Sequence, residues 1–94
     1  MLTGKERAML KSESHDYKPV VNIGKFSLTD EVIKSIEEAL DARELIKIKI
    51  LNNNLDNPDD ILQTILEKTG ADFVNHLGNI FTIYRKSKEN RFNL

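Results

Sequence analysis

The clearest periodic signal in the chain lies between residues 29 and 40. Val32, Ile33, Ile36, Ala39 and Leu40 fall on one face of a 3.6-residue repeat, which predicts an amphipathic helix. Thr29 is placed to cap it, Asp30 and Glu31 suit the positive end of its dipole, and Leu28 can staple onto Ile33. A second helix opens at Asn57-Pro58-Asp59-Asp60, with N-cap, proline and first-turn acids in order. It carries Ile61, Leu62, Ile65 and Leu66 to a stop at Gly70. Alternation marks the strands. Ile46, Ile48 and Ile50 interleave with Lys47 and Lys49, so one face is buried and two ammonium groups lie on the other. Val20 to Ile23 is a short β-branched run between Pro19 and Gly24. Residues 71–77 and 80–85 form a hairpin across Gly78-Asn79. On its second strand Phe81 and Ile83 share the buried face, which leaves Tyr84 for the surface. The N-terminal helix starts with a Thr3/Glu6 capping box and runs to about His15, before Lys18-Pro19 turns the chain extended. Its stripe, Ala8, Met9 and Leu10, is thin, so its C-terminal end is expected to be loosely anchored.

The order αβαβαββ predicts an α/β (α+β) two-layer sandwich, a four-stranded mixed sheet with three helices packed on it. At 94 residues the chain reads as a single domain over 1–94, with 89–94 a flexible tail. Zero cysteines exclude a disulfide framework, a thiolate nucleophile and any Cys-ligated metal. No apolar run is long enough to span a membrane, and the first residues lack the apolar core of a signal peptide. The expectation is therefore a cytoplasmic protein with no membrane partner.

The formal net charge of −1 hides a strong pattern. Lys5, Arg7, Lys11, Lys18 and Lys25 outnumber Glu6, Glu13 and Asp16, so residues 1–25 carry +2. The two strong helices collect most of the acids, and the last strand with its tail is basic again. Such a chain can have a basic side and an acidic one, a distribution that permits a one-sided polyanion binder and excludes a uniformly basic one.

The best chemical argument sits between the first strand and the second helix, at Gly24-Lys25-Phe26-Ser27. A glycine after a strand allows close backbone approach or a positive φ. The helix start behind it offers free N–H groups, Lys25 adds a mobile cation, and Phe26 can stack on a base. The same residues also fit a plain strand-to-helix turn with Phe26 tucked into the core.

Several segments in order resemble the CRM domain, the chloroplast RNA splicing and ribosome maturation module, whose stand-alone bacterial members are the YhbY-like proteins. They are Leu2-Thr3-Gly4-Lys5-Glu6-Arg7, Lys18-Pro19-Val20-Val21, Ile23-Gly24-Lys25 with Leu28-Thr29-Asp30, Glu44 to Lys49, and Tyr84-Arg85. The resemblance implies an RNA-binding module associated with precursors of the large ribosomal subunit. It also implies a fold similar to the C-terminal domain of translation initiation factor three. The family's glycine-x-x-glycine loop, similar to the RNA-clamping loop of KH domains, maps onto Gly24, Lys25, Phe26 and Ser27. The fourth position is serine here, whose Cβ disfavours positive φ and whose hydroxyl can donate to a phosphate. Residues 12–14 also depart from the family's more apolar pattern.

On this reading ribosomal RNA is the partner. Gly24, Lys25, Phe26 and Ser27 make the contact, and Lys5, Arg7, Lys18 and Arg85 extend the basic surface, with Lys47 and Lys49 beside them. The protein is expected to be a non-catalytic monomer with no cofactor, metal or small-molecule substrate. His15 and His76 have no carboxylates at metal-ligand spacing. Glu37-Glu38 and Asp59-Asp60 point apart on their helices, and neither a Walker pattern nor a serine elbow is present. The rival from another class is a protein-interaction module that uses the acidic helical face toward a basic ribosomal protein. A small hydrolase would require two converging carboxylates.

Overall fold

The computed structural model describes residues 2–94. Its elements are α1 (Gly4–Glu13) continued by a 3-10 turn (Ser14–Asp16), β1 (Val21–Ile23), α2 (Asp30–Arg43), β2 (Leu45–Ile50), α3 (Pro58–Thr69), β3 (Asp72–Leu77) and β4 (Ile80–Tyr84). The strands form one mixed sheet in the order β1-β2-β4-β3. β1 and β2 are parallel and the other two pairs antiparallel.

Local chemistry places the helix ends. At α1 the Thr3 hydroxyl accepts the Glu6 N–H at 3.1 Å, and the Glu6 carboxylate accepts the Thr3 N–H at 2.9 Å, which completes the capping box. Thr29 accepts from the Val32 N–H at 3.2 Å and Asn57 from the Asp59 N–H at 2.8 Å. Gly70 ends α3 in the left-handed region at φ 72°.

Register sorts the side chains onto two faces. Val21 opposes Ile48, Ile23 opposes Ile50, Ile46 opposes Ile83 and Ile48 opposes Phe81. These residues meet Ile36 and Leu40 of α2 and Ile61 and Ile65 of α3 in the main core. Fully burying one such side chain contributes roughly 1.5–3 kcal/mol, so this layer dominates stability.

The second face is closed only in part. Leu45 and Tyr84, paired across β2 and β4, join Leu2, Leu10 and Val74, and Phe92 and Leu94 pack against them from the C-terminus. A bulge between Phe73 and Asn75 lets Val74 turn into this cluster. Three expectations change here. Tyr84 is not at the surface: it is 3 % exposed, because α1 and the C-terminal residues cover the face to which alternation assigns it. Residues 89–94 do not run free as a tail, since Phe92 stacks edge-on to Tyr84 with ring centroids 6.1 Å apart. The end of α1 is also held, with Leu10 and Ser14 both buried and the His15 carbonyl accepting from Lys47 Nζ at 3.4 Å.

Glu44 makes this return of the chain possible. It caps α2 at φ 66°, a backbone conformation unfavourable for a residue with a Cβ. Its N–H donates to the Leu40 carbonyl and its own carbonyl accepts from Arg85 N–H, both at 2.9 Å. Its buried carboxylate accepts the Ser87 hydroxyl and the Arg91 N–H, the latter at 3.1 and 3.2 Å from its two oxygens. Burial pushes that carboxyl up, but the bonds from Ser87 and Arg91 outweigh it and hold the group below its ordinary value.

Candidate nucleic-acid interface

The turn after β1 is built by hydrogen bonds to its backbone, which leave its side chains free. The Ser27 N–H donates to the Gly24 carbonyl at 3.0 Å and closes four residues into a turn. The Thr29 N–H then donates to the Ser27 carbonyl at 3.2 Å, just before α2 begins. Asn54 Nδ2, from the loop after β2, donates to the same Gly24 carbonyl at 2.8 Å, and Asn54 Oδ1 accepts the Asp56 N–H at 2.8 Å. Asn54 therefore clamps the two loops together. The Asn52-Asn53-Asn54 run marks a loop in the sequence, but nothing local shows which carbonyl an asparagine will reach.

Phe26 is 78 % exposed, which removes the alternative in which it tucks into the core. The Lys25 ammonium lies 5.2 Å from the centroid of its ring, a cation–π distance. One cation and one open aromatic face are thus presented together, the pairing that tracks a nucleic-acid backbone and stacks a base. The positive φ anticipated for this loop falls on Ser27, at 57°, and not on Gly24. A Cβ at position 24 would meet Asn53 and Leu51 at 3.7 and 3.8 Å, ordinary contact distances, so the fold itself does not demand glycine there. On one side the turn borders a cavity of about 390 Å³ whose wall includes Asp56 and Asp60. Those carboxylates repel an anion, so a phosphate is favoured on the Lys25 side.

The remaining basic residues separate into groups. Asn22 opposes Lys49 in the β1–β2 register, and Lys47 lies two residues back along the same face of β2. Both lysines are half-buried, and the Val20 N–H donates to the Lys47 carbonyl at 3.0 Å. Lys18 and Lys47 border one groove at the start of β1. Lys5 and Arg7 lie elsewhere: α1 packs on β3, the opposite edge of the sheet, and Arg7 Nε donates to the Phe73 carbonyl at 3.4 Å. The structure does not bring them to the turn.

Arg85 leaves the basic surface altogether. Its guanidinium donates to Glu37 Oε2 and the Thr69 carbonyl at 2.7 Å and to Asp41 Oδ1 at 2.9 Å. It ties β4 to the end of α3 and to the outer side of α2, with its charge neutralised twice. The sequence shows the cation but not these long-range acids. The acids that remain lie mostly on α2 and α3, which cover the face opposite Lys47 and Lys49, so the charge is divided across the sheet.

His76 Nε2 donates to the Gly78 carbonyl at 2.9 Å, the ring stands edge-on to Phe81, and its Nδ1 lies 3.6 Å from Asp59. Among the described residues no group of three or more His, Asp or Glu side chains could hold a metal ion. No helix among them is long and apolar enough to cross a membrane.

The fold and turn define a small α+β module with an exposed loop site. Residues 2–85 match the model of the CRS1/YhbY (CRM) domain, and the chain belongs to that family. It is 38 % identical over 91 residues to "Probable RNA-binding protein YqeI" of Bacillus subtilis, covering 97 % of this chain and 95 % of that one. It is 36 % identical over 93 residues to a protein of Haemophilus influenzae named "RNA-binding protein", covering 99 % and 94 %. Among solved structures it is similar to hypothetical protein SAV1595 of Staphylococcus aureus, at a TM-score of 0.82 and 41 % identity. That match covers 97 % of this chain and 95 % of the other.

Proposed function

We propose that the chain is a non-catalytic RNA-binding protein that acts in assembly of the large ribosomal subunit by holding phosphates of precursor ribosomal RNA at the Gly24–Ser27 turn. The observation that carries this reading is the exposed Phe26 ring beside Lys25, on a turn whose backbone is already held by Asn54. The names of the relatives from Bacillus subtilis and Haemophilus influenzae support the RNA part of it. Gly24 leaves room for a phosphate, Lys25 supplies a point charge, Phe26 stacks on an unpaired base, and the Ser27 hydroxyl donates to a phosphate oxygen. Lys49 and Lys47 continue the track along β2. Phosphate contacts orient without specifying, so sequence preference is modest.

Binding to precursor large-subunit RNA across a salt series tests this. Wild type is expected to lose affinity with a slope of about −0.7 to −0.9 per phosphate contact, and Lys25→Glu to bind more weakly with a shallower slope. Unchanged affinity and slope in the variant would remove the turn from the interface. In a sucrose gradient the protein is expected with precursor large subunits and not with mature ones. Association that survives ribonuclease would favour the acidic face of α2 and α3 as a docking site for a basic protein.

A further inference from the structure

A groove lies at the other end of β1 from the turn. Five parts of the chain line this groove of about 770 Å³: the end of α1, the segment leading into β1, the end of α2, the start of β2 and the returning C-terminus. That volume is in the range of small-molecule pockets, about 300–1,000 Å³. Its cations are Lys18, Arg43, Lys47 and Arg91, against the single acid Glu13, toward which the Tyr17 hydroxyl points at 3.4 Å. Lys18, Arg43 and Lys47 enter none of the ion pairs among the described residues, whereas Arg91 is paired with Glu89 at 2.8 Å. Tyr17 and Phe92 supply aromatic surface to its lining. Cations around an aromatic-walled cleft favour an anion that carries a flat ring.

We infer that this groove seats one unstacked nucleotide of a bound single strand, its base against Phe92 and Tyr17 and its phosphate on Lys18, Lys47 and Arg43. The inference rests on the RNA-binding reading and adds a site to it. Val20 and Gly24 flank β1 four residues apart, about 13 Å at the strand rise of ~3.3 Å per residue, and Lys49 and Lys47 of β2 line the way between them. The wall bearing Arg91 and Phe92 lies beyond residue 85, where the family match ends. It is held by Glu44, whose carboxylate takes the Arg91 N–H. Glu44 is accordingly a positioning residue for the groove.

The probe is a ten-nucleotide oligouridylate titrated into the full chain, with backbone amide shifts followed by NMR. Shifts at residues 24–27 and also at Val20, Lys47 and Phe92 are expected. Shifts at the turn alone would overturn the groove site and leave the RNA reading standing, whereas no shifts anywhere would overturn both. Oligoglutamate of the same length is the second arm. Equal shifts in the groove would make it a general anion or peptide site and defeat the nucleotide assignment. The chain has no tryptophan, so Phe92→Trp gives a single reporter whose fluorescence the RNA should quench. Phe92→Ala should weaken oligouridylate binding by about 5- to 150-fold, the range for one lost base–aromatic stack, and an affinity equal to wild type would count against it.

Discussion

The two faces of the sheet are closed by different kinds of information. The face under α2 and α3 is built from helices whose periodicity, caps and stops all lie within a dozen or so residues of one another. The other face is closed by the ends of the chain: α1 from one side, and from the other Phe92 and Leu94, held by a carboxylate 47 residues before Arg91. The first is dry and backed by acids, and the second is half-open and carries Lys47 and Lys49. The core that makes the protein stable and the lysine-bearing surface proposed to meet RNA are thus separated by one sheet.

Substitutions should break this contrast in order of size. Phe81, fully buried under the helices, is the largest side chain of the main core, and Phe81→Ala should cost about 3–5 kcal/mol in urea unfolding. A loss below 1 kcal/mol would mean that the helical face is not the principal core.

Glu44 comes next, because it secures the other face. Glu44→Gln keeps the shape but weakens charge-assisted bonds from Ser87 and Arg91, and should cost about 1.5–3 kcal/mol. Its pH dependence has a definite sign. The folded-state carboxyl lies below its ordinary value near 4.5, so its contribution is complete above that value and is lost as pH falls through the lower folded one. The stability gap between wild type and Glu44→Gln should therefore narrow with acidification in this window. A gap that stays constant would show that ionised Glu44 does not hold the C-terminus.

The contrast also separates two cations that look alike as letters. Arg85→Ala removes bonds to Glu37, Asp41 and Thr69 and should cost about 1–2 kcal/mol with RNA affinity unchanged. Lys25→Ala, on an exposed turn, should leave stability within about 0.5 kcal/mol and weaken RNA binding. The reverse pattern would return Arg85 to the interface.

That pair shows where the sequence is legible and where it is not. The capping box of Thr3 and Glu6, the caps at Thr29 and Asn57 and the Gly78-Asn79 hairpin are written in neighbouring residues, and the elements follow from them. Tyr84 is the opposite case. Alternation assigns it correctly to the second face, but whether that face is wet depends on α1, some 70 residues earlier, and on Phe92. Arg85 is misplaced for the same reason, since Glu37 and Asp41 approach it only through the tertiary fold. In the candidate site, Gly24, Lys25 and Phe26 are legible because the turn is local, while Asn54, which holds it, lies 30 residues away.

The finest distinction concerns the two residues at positive φ that flank α2, Ser27 at 57° and Glu44 at 66°. Glycine would relieve roughly 1 kcal/mol of backbone strain at either position and lose about 0.5–1 kcal/mol to unfolded-state entropy. At Ser27 those effects nearly cancel, because no hydrogen bond among the described residues uses its side chain, so Ser27→Gly should shift stability by less than about 0.5 kcal/mol. At Glu44 the same change also removes the anchor of the C-terminus, so Glu44→Gly should destabilise although it suits the backbone better. Matched effects from the two glycines would mean that backbone conformation alone governs both ends of α2. Unequal effects would show that Glu44 keeps a strained backbone for the sake of its carboxylate, whereas Ser27 leaves its hydroxyl free for a ligand.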